Sequence, residues 1–184
     1  MTLITPIVQR WIDDGARDPE GFWERAARQL PWFRQWDRVL DWTPPTFRWF
    51  VGAETNLAYN AVDRHVAEGG GGRAALIYFN ERGDTRILTY AQLLHEVKRV
   101  AAALRGLGVR KGDRVTIYMP PGIESLTLML AVVRIGAIHS IVFAGFGATA
   151  LGDRIDASGS RFVFASDLTY QPVTSLKGEK SFLE

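Results

Sequence analysis

No cysteine occurs among the 184 residues. Its absence excludes a disulfide framework, a thiolate metal site and a cysteine nucleophile, and it is compatible with a reducing cytoplasm. There is no Gly-x-Ser-x-Gly elbow, so a serine hydrolase of the α/β type has no support. The only histidines are His65, His95 and His139, none with a second ligand at metal spacing, and no metal ligand is assigned. His139 sits in an apolar stretch and reads as a core residue; His65 and His95 read as surface residues of helices. Excess charge of one sign is also missing. A net charge of +2 is too small an imbalance to argue for nucleic acid or an anionic membrane. The opening MTLITPIVQRW has no basic leader ahead of an apolar run, so no export signal is read and the cytoplasm is the expected location. Residues 135–152 carry no Asp, Glu, Lys or Arg, over 18 positions. That is the length at which a membrane span becomes conceivable, but repeated glycine suits a strand, a tight loop and a helix start better than one continuous helix. The run Gly69–Gly72 lacks the Lys-Ser/Thr pair of a phosphate cradle and reads as a loop.

The apolar content of 47% and charged content of 23% are ordinary for a globular chain with a buried core. All six tryptophans fall in the first 49 residues, where seven arginines face seven acidic residues. A stacking platform for bases would need a positive funnel, which this neutral segment does not offer. The rings instead predict an irregular N-terminal arm, residues 1–68, anchored by aromatic packing. Within it Asp18-Pro19 caps a helix carrying Phe22, Trp23, Ala26, Ala27 and Leu30 on one face. Pro44-Pro45 predicts an extended crossing, and a second short helix starts near Asn56 and stops by the glycine run.

The texture changes at Ala74. ALIYFN and TRIL flank a polar turn and predict a β-hairpin. Thr89 and Gln92 form a capping box ahead of a helix with Leu93, Val97, Val100, Ala101, Leu104 and Leu107 at helical spacing. Lys111-Gly112-Asp113 turns the chain into a strand in which Val115, Ile117 and Met119 alternate; Arg110, Lys111, Asp113 and Arg114 read as solvated charge around that turn. A helix over 124–134, apolar on nearly every face, a strand over 137–143, a helix over 148–157 and a strand over 161–165 complete the pattern. Alternating strands and helices with short connections predict an α/β fold with a parallel βαβαβ sheet, residues 74–170. The last fourteen residues, 171–184, hold no arginine and two of the four lysines, and read as a tail of different character.

One motif invites a cofactor. Gly145-Phe146-Gly147-Ala148-Thr149-Ala150 fits a G-x-G-x-x-A fingerprint between a predicted strand and helix, with Asp167 at the end of the next strand. The alternative is a plain glycine-rich strand-to-helix turn.

Taken together, NLAYNAVDRHV from Asn56, ILTYAQLLHEVKRVAAALRGLGVRKGDRVTIYMP from Ile87 and AVVRIGAIHSIVFAGFGATALGDRI from Ala131 resemble the acetyl- and propionyl-CoA synthetase branch of the AMP-forming acyl-CoA synthetases. FWERAARQLPWFRQWDRVLDW resembles the N-terminal arm of that branch. The resemblance covers about residues 19 to 170 and implies the incomplete N-terminal part of an adenylate-forming large domain. It also implies that the complete enzyme uses a small carboxylate, ATP with magnesium, and coenzyme A. By the same resemblance the turn Phe143-Ala144-Gly145-Phe146 lies near the adenine end of coenzyme A. Gly147 stands where relatives commonly carry serine, which speaks against the dinucleotide fingerprint and its NAD. After Tyr170, relatives continue with a basic run that meets the phosphates of coenzyme A, whereas this chain reads Gln171-Pro172-Val173-Thr174. No Thr/Ser/Gly-rich loop ending in Pro-Lys appears, nor the later lysine that promotes adenylate formation. The expectation is therefore no catalytic residue within these 184 positions, weak or no coenzyme A binding, and an exposed strand edge that invites self-association or pairing with the missing portion. Two alternatives are carried: a non-catalytic interaction module that pairs with a complementary polypeptide, and a dinucleotide-binding domain.

Overall fold

A computed structural model describes residues 4–80 and 82–167. The tail over 171–184 and the Gln171–Thr174 position lie outside the described residues. The chain forms two compact units, one built from residues up to Ala75 together with Leu88–Leu94, the other from Leu76–Ile87 together with residues from His95 onward.

The first unit opens with α1 (Pro6–Arg17) and α2 (Pro19–Ala27). Each begins with proline, whose missing N–H costs nothing in a first turn. Asp18 caps α2 as expected, its carboxylate accepting from the Gly21 amide at 2.9 Å. Leu30 lies past the helix end. The arm is not irregular, which corrects the sequence expectation. β1 (Arg38–Thr43) pairs antiparallel with β2 (Thr46–Val51), with Thr43 opposite Thr46. Pro44-Pro45 is therefore no extended crossing but the two-residue turn of a hairpin. A cis peptide bond joins the two prolines, as in tight turns that carry proline at the second corner. Trp32 and Trp36 meet edge to face at 5.3 Å and both pack on Phe50. The Trp32 indole N–H donates to the Ala27 carbonyl at 2.8 Å, fixing the cluster to the end of α2. The chain then winds through two π-helical turns, Tyr59–Asp63 and Val66–Gly70, with Ala58 and Val62 buried. His65 is half-buried with its ring 4.6 Å from that of Tyr90, not a surface residue.

The second unit contains most of β3 (Ala74–Phe79) and of β4 (Thr85–Thr89), which pair as the expected hairpin. α3 (Tyr90–Gly106) begins with the predicted reciprocal cap: the Gln92 amide donates to Thr89 Oγ1 and the Thr89 amide to Gln92 Oε1. Its later turns bury Val97, Ala101 and Leu104. Gly112, at a φ of 87° that residues with a Cβ avoid, turns the chain into β5 (Arg114–Tyr118).

β5 pairs in parallel with β6 (Ile138–Ile141) on one edge and β7 (Phe162–Ala165) on the other, giving the order β6-β5-β7. α4 (Ile123–Arg134) packs on β5 and β6, and α5 (Ala148–Ser158) on β5. Val115, Thr116 and Ile117 are consequently all buried, so the strand does not show the expected alternation. Arg114 is exposed, as expected, and it also makes specific bonds. Its guanidinium donates to the carbonyls of Ser158 and Gly159, where the negative end of the α5 dipole favours a cation. Asp113 likewise accepts from the Arg110 amide at 2.7 Å and braces the turn. Among the described residues no helix is long and apolar enough to cross a membrane.

Arg86 of β4 and Glu124 of α4 form an ion pair at 2.8 Å. The hydrogen bond from Arg86 holds the Glu124 carboxyl below the usual carboxylate range. Its contribution to stability is therefore present above the ordinary glutamate value of 4.5 and is lost as pH falls through the lowered folded value. Both partners are more than half exposed, which limits the pair to below about 1 kcal/mol. In Arg86→Ala the Glu124 titration, followed by NMR, moves up toward the ordinary range, while Tm at neutral pH changes little.

Candidate functional site

The carboxyl ends of parallel strands are where α/β sheets gather ligands, because the connecting loops and helix starts converge there. In the second unit this edge holds Tyr118 at the end of β5 and the segment 143–147 between β6 and α5. The segment closes as a turn, the Phe146 amide donating to the Phe143 carbonyl at 3.0 Å. The Tyr118 hydroxyl donates to the Phe146 carbonyl at 2.6 Å, so the central strand holds the turn directly. Phe143 and Phe146 meet edge to face at 5.8 Å, and both rings are exposed. On the other side the Arg154 guanidinium lies 4.4 Å from the Phe146 ring centre, and its Nη1 donates to the Ala150 carbonyl at 2.7 Å.

Of the residues expected near coenzyme A, Phe143, Ala144 and Gly145 thus sit together on one exposed turn at the end of β6. A Cβ added at Gly145 would lie 2.5 Å from Phe143 Cε1. Here glycine makes room for the neighbouring ring to lie back over the turn. Gly147 faces open space, and a Cβ added there would meet nothing within 4 Å. The position therefore has room for a serine.

Strand order weighs against the dinucleotide fingerprint. A dinucleotide fold sets its acidic residue on the strand adjacent to the glycine turn. Here the glycine turn follows β6 and Asp167 follows β7, with β5 between them. Two strand spacings, about 10 Å, separate the two positions. Sequence spacing alone could not reveal this separation. His139 is half-buried on β6 opposite Val115. Among the described residues no group of three or more His, Cys, Asp or Glu could hold a metal ion.

Sequence reasoning missed Tyr118 and Arg154. Tyr118 reaches a carbonyl 28 residues away, so no local pattern marks it. Arg154 lies about two helical turns past the segment, and a cation near an aromatic is a pattern the sequence does carry.

Comparison with known proteins gives this geometry its context. The family described as "AMP-binding enzyme" matches residues 62–182, and "Acetyl-coenzyme A synthetase N-terminus" matches residues 8–61. The acetyl-coenzyme A synthetase of Deinococcus radiodurans is 51% identical over 159 residues, covering 85% of this chain and 24% of the relative. That of Rubrobacter xylanophilus is 48% identical over 156 residues, covering 84% and 24%. The 3-hydroxypropionyl-coenzyme A synthetase of Metallosphaera sedula is 46% identical over 150 residues, covering 81% and 23%. The chain belongs to the AMP-binding enzyme family. It spans about a quarter of the length of the curated relatives it matches.

The Tyr118 hydroxyl ties the turn to the core strand. Tyr118→Phe is expected to cost about 1 kcal/mol in thermal unfolding, with backbone NMR shifts concentrated at 143–147.

Proposed function

We propose that these residues serve as the N-terminal portion of an AMP-forming, short-chain acyl-CoA synthetase. In the reaction of the whole enzyme a carboxylate oxygen attacks the α-phosphorus of ATP and releases pyrophosphate. The thiol of coenzyme A then attacks the acyl carbon and releases AMP. The observation that carries this reading is similarity over 85% of the chain to an acetyl-coenzyme A synthetase, together with the N-terminal family match over 8–61 and the AMP-binding match over 62–182.

The contribution of this chain to that chemistry is scaffold and one edge of a coenzyme A site. An exposed Phe143 ring offers a stacking face for adenine, worth about 1–3 kcal/mol when a base stacks on an aromatic. Phosphate binding needs guanidinium groups free to make charge-assisted bonds. Arg154 of α5, beside this turn, lies over Phe146 and gives one N–H to Ala150. Without a phosphate-gripping loop among the 184 residues, neither the positioning nor the charge stabilisation that phosphoryl chemistry depends on is supplied.

Two measurements on the purified 184-residue chain test the reading. Carboxylate-dependent exchange of pyrophosphate into ATP is expected to be undetectable. Titration with coenzyme A, followed by NMR, is expected to give a Kd weaker than about 1 mM, with shifts confined to 143–147. Robust exchange by the chain alone would contradict the scaffold role, and saturating shifts elsewhere would contradict the placement of coenzyme A.

A further inference from the structure

Several contacts converge on Phe146 in the exposed turn after β6. Its carbonyl accepts from the Tyr118 hydroxyl, and its amide donates to the Phe143 carbonyl. Its ring meets the Phe143 ring edge to face and lies under the Arg154 guanidinium. The backbone of Phe146 is therefore tied to β5 and its side chain to α5. Arg154 is itself braced, since the bond from its Nη1 to the Ala150 carbonyl holds the guanidinium against the first turn of its own helix.

Phe143 is held less directly. Its ring is 58% exposed, and an exposed side chain changes rotamer within nanoseconds unless neighbours hold it. The Phe146 ring bounds it, and the space left by the missing Cβ of Gly145 receives its edge. A ring that must be ordered at the moment a base stacks on it binds about two- to tenfold more weakly than one already held. The pose of Phe143 before any ligand arrives thus depends on how firmly the Phe146 ring is fixed, and Arg154 lies over that ring.

We propose that Arg154 is a positioning residue for coenzyme A: through the Phe146 ring it fixes the Phe143 ring in the pose that stacks adenine, without touching the ligand itself. The proposal rests on the reading given under Proposed function, and it adds a residue of α5 that sets how the turn receives its ligand. The charge matters as well as the bulk, because a guanidinium at this distance is attracted to the electron-rich face of the ring. Gly145 gives an independent handle on the same ring. Its φ is not positive, so alanine is not strained there by the backbone and acts by pushing on Phe143.

The test uses the full 184-residue chain, with coenzyme A as the probe. NMR couplings to the Phe143 Cγ read its χ1 in the free protein, and the initial slope of the amide shifts at 143–147 against coenzyme A concentration reads affinity. The expected result is one dominant Phe143 rotamer in the unsubstituted chain, and rotamer averaging in Arg154→Ala with the slope reduced about two- to tenfold. Arg154→Lys, which keeps the cation, should recover both. Gly145→Ala should move Phe143 to another rotamer and lower the slope with Arg154 intact. Arg161→Ala, which removes the guanidinium over Phe162 at the start of β7, should change neither. An unchanged Phe143 rotamer in Arg154→Ala overturns the proposal. So does a fall in slope accompanied by loss of the helical Cα shifts over 148–158, or one that Arg154→Lys does not restore, because Arg154 then serves the helix or meets the ligand directly. A rotamer that averages while coenzyme A shifts keep their full slope overturns the positioning role and leaves the coenzyme A reading standing. Averaging in a chain whose 143–147 amides never respond to coenzyme A supports the hold on Phe143 and counts against the coenzyme A reading.

Discussion

The burial of β5 is the constraint from which the second unit follows. Val115, Thr116 and Ile117 have essentially no exposure, with a parallel neighbour on each edge and helices packed against the strand. A strand in that position fixes the direction of everything attached to it. Arg114 at its start clamps the end of α5, and Tyr118 at its end holds the turn after β6. Closing the Phe143–Phe146 turn beside the carboxyl end of β5 is thus a consequence of sheet geometry. The core has its own cost, since among the described residues the buried hydroxyls of Thr116 and Thr127 meet no hydrogen-bond partner. Such groups subtract from a burial that has to offset the ordering of the chain.

Features written in a few adjacent residues were legible from the sequence. Asp18-Pro19, Thr89 with Gln92, and Lys111-Gly112-Asp113 all act through contacts within a few positions, and each marks the boundary the structure contains. The strand and helix alternation from Arg114 to Ala165 was legible because buried helices and strands differ in length and apolar pattern. The β1–β2 hairpin was not. Two prolines read as extended chain when both bonds are assumed trans, and no alternation marks Arg38–Thr43 because its side chains are mostly exposed or half-buried. Strand order was not legible either. The placement of β5 between β6 and β7 depends on non-local pairing, and that order is what separates Asp167 from the glycine turn.

The site divides along the same line. The turn that the family resemblance points to was locatable from Phe143-Ala144-Gly145, but its mechanical support, Tyr118 and Arg154, comes from distant or neighbouring elements. Gly145 also has a reason no motif conveys, since its missing Cβ lets the Phe143 ring lie back over the turn. The AMP-binding family match and the open hairpin describe one physical situation. A sheet core around β5 is complete enough to position its loops, while the β3–β4 ribbon ends on an edge that nothing among the described residues covers.

Native-state hydrogen exchange on the free 184-residue chain tests this division most directly, because it reads local opening residue by residue. The account predicts that the amides of Val115–Ile117 exchange slowest, at the rate set by global unfolding, and that the β3 amides facing away from β4 exchange fast. Protection of β3 equal to that of β5 in the free chain, or fast exchange throughout β5, would contradict it.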